Sequence, residues 1–251
     1  MAIGRAPARC LVFGGSGALG GAVCEALAAA GARVALTYHA NRAAAEALAA
    51  RLPGAIPLAV DVASVAEVDR VVDAASDALG GIDAFVHAAA IGVAVACEGA
   101  ASSHRLPQID EAAFDRLIAV NLRSAFFAVR RVAPIMAADG GGSVVLVGSV
   151  DGVKAIPSPA HYAASKAGLG GFVRAASKEL GEARVLLNVV APGVLEAGLS
   201  RLIPENLHRE YEKHCGLRRR GRLAEIAATC AWLALENTYV TGQTILIDGA
   251  L

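Results

Sequence analysis

A short apolar run, Arg9-Cys10-Leu11-Val12-Phe13, stops at Gly14-Gly15-Ser16-Gly17-Ala18-Leu19-Gly20 and gives way to an alanine-rich helical stretch that reaches Ala30, where Gly31 ends it. Strand, glycine turn and helix in that order open a dinucleotide-binding unit. Small residues let the backbone approach a pyrophosphate, and the helix N-terminus supplies N–H donors and a positive dipole end. Glycines alone are weak evidence; their flanks here are the right ones. Gly14, Ser16, Gly17, Ala18, Leu19 and Gly20 are therefore candidate cofactor-binding residues.

The alternation continues along the chain. Residues 32–38 read as a second strand, followed by His39-Ala40-Asn41-Arg42 and a helix to about Leu52; 55–60 read as a third, ending in Asp61-Val62. Ser64 is placed to cap a helix running to about Leu79, with Val65, Val68, Val72 and Leu79 at helical spacing before Gly80-Gly81. A fourth strand, 82–90, ends His87-Ala88-Ala89-Ala90, and 91–109 is a long irregular stretch expected to border a substrate pocket. Within it His104 and Arg105 are available to an anionic or polar substrate, although exposed loop charges are usually unspecific. Asp110 to about Met136 is one long helical pattern; a fifth strand follows Gly140-Gly141-Gly142, and a sixth, 184–190, ends in Ala191-Pro192-Gly193. Residues 194–222 are expected to be a mobile lid, 223–235 a helix, and the end a last strand.

Tyr162 and Lys166 lie four apart in a segment of helical composition, which stacks them on one face. A phenol titrates near 10, and a neighbouring ammonium favours the phenolate at about 1.4 kcal/mol per pH unit of lowering. Roughly three units would bring the tyrosine into the range of acid–base catalysis at neutral pH. Ser149 ends the apolar run before it, where ligands sit in open α/β sheets, and its hydroxyl is placed to hold a carbonyl.

Ser149, Tyr162, Lys166 and the N-terminal glycine turn together resemble the short-chain dehydrogenase/reductase family, and the likeness runs the length of the chain. It implies an α/β Rossmann-type fold, a doubly wound parallel sheet of seven strands in the order 3-2-1-4-5-6-7, in one domain over residues 1–251. It implies that Asn121, in Val120-Asn121-Leu122, completes a catalytic tetrad with Ser149, Tyr162 and Lys166 by holding a relay water, and that Lys166 also holds the nicotinamide ribose. Asp61 is assigned to the adenine amino group with Val62 beside it; Ala88, Ala89 and Ala90 pass close to the cofactor; Pro192, Gly193, Val194 and Leu195 border the nicotinamide. Tyr-Ala-Ala-Ser-Lys-Ala-Gly, Asn-Val-Val-Ala-Pro-Gly and Tyr-Val-Thr-Gly-Gln look most like 3-oxoacyl-acyl-carrier-protein reductases.

The chain also departs from the family pattern. Phe13 stands where the fingerprint has Thr, Ala18 replaces its middle glycine, His87-Ala88 replaces two asparagines, and Ala197 replaces a threonine. Phe13 and His87 alter both sides of one expected polar contact, which implies a repacked strand-to-strand contact, with His87 a core or strand-end residue rather than a catalytic one. No acid occurs between Gly31 and Glu46, whereas Tyr38, His39 and Arg42 lie near the ribose site, favouring NADPH, with NADH possible. Against this, Gly17 stands where many NADPH-using relatives carry a basic residue.

The expected substrate is a small-molecule ketone, first a β-ketoacyl thioester or polyketide-type carbonyl, free or carried on an acyl carrier protein docked at Arg218-Arg219-Arg220 and Arg222. That cluster reads equally as a solvated loop. A secondary-metabolite or steroid-like alcohol oxidised by the same site is an alternative; so are a nucleotide-binding protein without redox turnover and a dehydration or cyclisation on the same tetrad. Zero net formal charge gives no general attraction to nucleic acid or anionic membrane. Five scattered cysteines form no metal-binding or disulfide pattern, and no apolar run spans a bilayer, so a metal-free cytoplasmic protein is expected. By resemblance it forms a homotetramer or homodimer.

Overall fold

The computed structural model describes residues 7–92 and 105–251. Seven parallel strands form one sheet in the order β3-β2-β1-β4-β5-β6-β7: β1 (Arg9–Phe13), β2 (Arg33–Tyr38), β3 (Ile56–Ala59), β4 (Ala84–His87), β5 (Gly142–Val147), β6 (Val185–Pro192) and β7 (Thr244–Ile247). Each crossover carries helix onto one face or the other, so the strands are buried on both sides and read as unbroken apolar runs.

Successive residues of a strand serve opposite layers. Leu11 and Phe13 of β1 join Phe85, Val144 and Leu146 in one core, with Val68, Val72, Val129 and Val173 from the helices. Cys10 and Val12 join Ala84, Val86 and Val145 in the other, with Val23, Leu27, Leu48, Ile226 and Leu233. The first layer consists of α3 (Val65–Leu79), α5 (Ser124–Ala138) and α6 (Ala160–Gly181); the second of α1 (Ala18–Ala29), α2 (Arg42–Ala49) and α8 (Leu223–Leu235). Helix ends follow their sequence signals. Ser64 Oγ accepts from Glu67 N at the start of α3, and Gly80, at φ +80°, closes its end.

Three features differ from the pattern read in the sequence. Strands β3 and β4 are shorter, because Asp61 turns back on itself and Ala88-Ala89-Ala90 leave the ladder to pass the glycine turn. The long helical stretch is present but carries a π-helical turn: α4 (Glu111–Ile118) runs through Ala119–Arg123 into α5. Inside 194–222 there is a further helix, α7 (Glu205–His214).

Candidate active site

A parallel sheet sends every strand's carboxyl end to one edge, and the strand order reverses between β1 and β4, which opens a crevice there. The glycine turn fills its floor. Gly14 has φ +78°, and a Cβ on it would lie 2.7 Å from the Ala89 backbone; a Cβ on Gly20 would lie 2.1 Å from the Gly14 carbonyl. No other residue fits at either place, whereas Ala18 is exposed at the start of α1 and its methyl costs nothing. Gly17 caps α1 without a side chain. The first-turn N–H groups therefore stay open to an anionic group, as a pyrophosphate cradle requires. Gly15, Ser16, Gly17 and Ala18 line a cleft with Arg51 and Glu196.

The departures at 13 and 87 occupy one place. Phe13 and His87 are paired residues of β1 and β4, their rings 5.7 Å apart, and Phe85 packs edge-on against Phe13 at 5.1 Å. The polar contact has become an aromatic cluster, as the paired change implied. Backbone needs are met from elsewhere: Gly14 N donates to the buried Thr37 Oγ1 on β2 (3.0 Å), and Ala88 N donates to Phe13 O (2.9 Å). Burial, and then the nearby Lys166 charge, push the His87 imidazole down to about 3, so it is neutral; its Nε2 meets Ser124 Oγ at 2.9 Å.

Tyr38 ends β2, His39 is exposed, and Arg42 begins α2 with its guanidinium on Glu46 (2.7 Å), both exposed. Asp61 Oδ1 accepts from Ala63 N (2.9 Å), while Asp61 N donates to Glu67 Oε2 (2.8 Å). Val62 packs on the core, and so does Ala89, the residue a Gly14 side chain would strike. Ala90 leads from it toward Ile91. On the far side Pro192 ends β6, Gly193 N donates to Ile247 O (3.0 Å), and Val194 O accepts from Gly221 N (2.9 Å). Leu195 N donates to Ser200 Oγ (3.0 Å), so a hydroxyl lies three residues beyond the missing one at Ala197.

Asn121 sits in the π-helical turn and is 1% exposed. Its Oδ1 accepts from Ile91 N (2.9 Å) and its Nδ2 donates to Ile91 O (3.0 Å), which pins the segment leaving β4. Nδ2 also reaches Ser165 Oγ at 3.4 Å. The extra residue in that helical turn sets the asparagine at this angle, a common use of π-bulges.

Tyr162 and Lys166 share one face of α6, with Lys166 Nζ 6.0 Å from the phenol ring centre. Lys166 is buried and donates to Val147 O (2.9 Å) at the end of β5. Burial lowers it from 10.5 to about 8, with Asp151 opposing. Tyr162 corrects an expectation. Its phenol is held above its ordinary value, first by burial and then by the Asp151 charge, against a hydrogen bond with Ser149 that lowers it. Ser149 follows β5 and donates to Asp151 Oδ2.

Most of 91–109, with His104 and Cys97, lies outside the described residues; Arg105 is exposed. Two members of the arginine cluster, Arg219 and Arg220, are paired with carboxylates, while Arg218 and Arg222 are exposed. Arg219 pairs with Glu225 (2.6 Å), Arg220 with Glu212 (3.0 Å), Arg218 donates to Lys213 O, and Arg222 N donates to Glu225 Oε2. Thr37, Ser124, Ser165 and Ser200 carry no role in the sequence, because their only signal is position in space. Among the described residues, no group of three or more His, Cys, Asp or Glu is arranged for a metal ion, and no helix is long and apolar enough to cross a membrane.

A glycine-floored crevice at the switch point of a doubly wound sheet, flanked by a tyrosine–lysine pair and a serine, defines a nucleotide-binding α/β oxidoreductase. Residues 15–251 match the family model described as enoyl-(acyl carrier protein) reductase. The 3-oxoacyl-[acyl-carrier-protein] reductase MabA of Mycobacterium tuberculosis is 31% identical over 242 residues, covering 96% of this chain and 91% of that protein. Levodione reductase of Leifsonia aquatica is 32% identical over 253 residues, covering 95% and 92%. A solved structure of a putative short-chain alcohol dehydrogenase from Sinorhizobium meliloti superposes with a TM-score of 0.86 at 32% identity, covering 98% and 96%. The chain belongs to the short-chain dehydrogenase/reductase family of oxidoreductases.

Proposed function

We propose that this protein is an NADPH-dependent ketone reductase acting on a β-ketoacyl thioester or a related polyketide-type ketone. The reading is supported by Tyr162 and Lys166 sharing one face of α6, together with a glycine turn that has no room for a Cβ at Gly14 or Gly20. A bound nicotinamide supplies the hydride. The chain supplies the rest. Ser149 orients the carbonyl oxygen, and Tyr162, protonated, gives it a proton. Lys166, an ammonium below about pH 8, stabilises the phenolate left behind and holds the ribose. Asn121 fixes the strand-end segment and positions the relay water that returns a proton.

Two relatives are named as reductases, of a 3-oxoacyl group and of levodione, which favours reduction of a ketone over the other chemistries this fold hosts. NADPH is favoured because the cations His39 and Arg42 follow β2 with no acid before Glu46. The Arg42–Glu46 pair is exposed, and a ribose phosphate would displace that carboxylate readily. Phe126, 46% exposed on α5, packs on Phe172 of α6 at 4.9 Å, which supports self-association through these helices as a dimer or tetramer. A cytoplasmic location is part of the same reading.

The test is a binding titration with NADPH and NADH, then loss of nicotinamide absorbance with a β-ketoacyl thioester. Tyr162→Phe should lower kcat by about 100-fold or more, and Arg42→Ala should raise KM for NADPH more than for NADH. Tight nucleotide binding with no turnover across carbonyl and alcohol panels would refute the reading.

A further inference from the structure

Between Ser149 and Tyr162 the chain passes through an irregular segment, 153–159, outside helix and strand. The turn that leads into it is fixed by packing. A Cβ on Gly152 would lie 2.6 Å from both Lys166 C and Ala167 N, so this turn is pressed onto α6. Lys154 comes next, its backbone N–H donating to Val150 O (2.9 Å). The lysine side chain reaches away from its own segment. Its ammonium lies 2.6 Å from Asp248 Oδ2 and also donates to Leu251 O.

Asp248 is a junction of three pieces of the site. It follows β7, whose Ile247 O accepts from Gly193 N (3.0 Å) at the end of β6. Asp248 O accepts from Tyr211 Oη (2.9 Å) on α7. Just beyond it, Gly249 O and Ala250 O accept from Leu217 N and Gly216 N, both at 3.0 Å. A Cβ on Gly193 would lie 2.2 Å from Tyr211 Oη and 3.0 Å from Asp248 Cα, so these pieces meet without slack. Asp248 Oδ1 accepts from Ala250 N (3.0 Å), which fixes the carboxylate, and its side chain is 9% exposed. A charge so sheltered from water is costly without its partner.

We propose that Lys154 and Asp248 are positioning residues that tie the segment between Ser149 and Tyr162 to α7 and the end of β6, and so set the affinity for the ketone. The inference rests on the reductase reading. Neither residue moves a proton. The carbonyl meets Ser149 and Tyr162, and the ion pair holds the segment that joins them. Without the pair the segment is free to move, which weakens ground state and transition state alike and raises KM with kcat unchanged.

Lys154→Met, Asp248→Asn and the double variant are compared with wild type. In each single variant KM for a β-ketoacyl thioester should rise about tenfold, with kcat and the Kd for NADPH changed less than about twofold. The double variant should lose no more than Lys154→Met does, because two groups acting as one unit are not additive. Lys154→Arg keeps the charge and should restore most of the wild-type KM. Hydrogen–deuterium exchange of 150–159 and 205–217, followed without substrate, should quicken about tenfold in Lys154→Met. Lys154→Gln repeats the series if the Met variant folds poorly. Unchanged exchange, an unchanged KM, or additive losses in the double variant would overturn the proposal. The exchange measurement needs no turnover. A wild-type protein that reduces no carbonyl would refute the reductase reading, and the role in ketone affinity with it, while quickened exchange would still establish the tie between the segment and α7.

Discussion

Replacing Lys166 with Met should abolish catalysis and yet stabilise the protein as the pH falls. The ammonium is buried and lowered from 10.5 to about 8, mainly by desolvation. A base whose folded value is depressed is most favourable to folding when neutral. Its contribution is fully present above the unfolded value and is lost as the pH falls through the folded one. The gap between 10.5 and about 8 amounts to about 3 kcal/mol against the wild-type fold at low pH. Met has similar length and no charge, but it leaves Val147 O without the lysine donor, at about 1–3 kcal/mol. The two effects nearly cancel near neutral pH, so a single stability measurement decides little. Their pH dependence separates them, because the lost hydrogen bond costs much the same at any pH. Urea unfolding of both proteins at pH 7 and pH 10 should show the stability difference swinging by about 2.5 kcal/mol toward the wild type at pH 10. A pH-independent difference would refute the claim that Lys166 is a strained buried cation. Turnover should drop by about 100-fold or more in the same variant.

Phe13→Thr, which restores the family's residue, should destabilise this chain by about 3 kcal/mol, because the ring fills the aromatic cluster with Phe85 and His87; thermal unfolding measures it. Gly20→Ala should abolish nucleotide binding in a fluorescence titration, since its Cβ would strike the Gly14 carbonyl and force the turn open. Glu225 is held down to about 2, first by the Arg219 hydrogen bond and then by Arg222 N–H. A depressed acid stabilises above its ordinary range and loses that contribution as the pH falls toward 2. Glu225→Gln should therefore be less stable than wild type at pH 7, and the two should converge between about pH 4.5 and pH 2 in an acid unfolding series.

The sequence by itself determined the sheet and the ends of its helices. Each strand must bury both faces under helices, so Cys10-Leu11-Val12-Phe13 and Val144-Val145-Leu146 show as unbroken apolar runs. The turn between β1 and α1 admits no Cβ at Gly14 or Gly20, and Tyr162 and Lys166 share a face because four residues make one helical turn. Such constraints are local, and local constraints are written in neighbouring residues. The tertiary structure alone decided the polar surroundings. Thr37 takes the hydrogen bond from the first glycine across two strands, and Asn121 owes its aim to a π-helical turn that no periodicity marks. The lysine, expected to lower the phenol, donates to Val147 O, while Asp151, which the sequence marks only as a loop residue, accepts from the Ser149 hydroxyl. Electrostatic coupling depends on distance and burial, and both are set only when separate strands and helices meet.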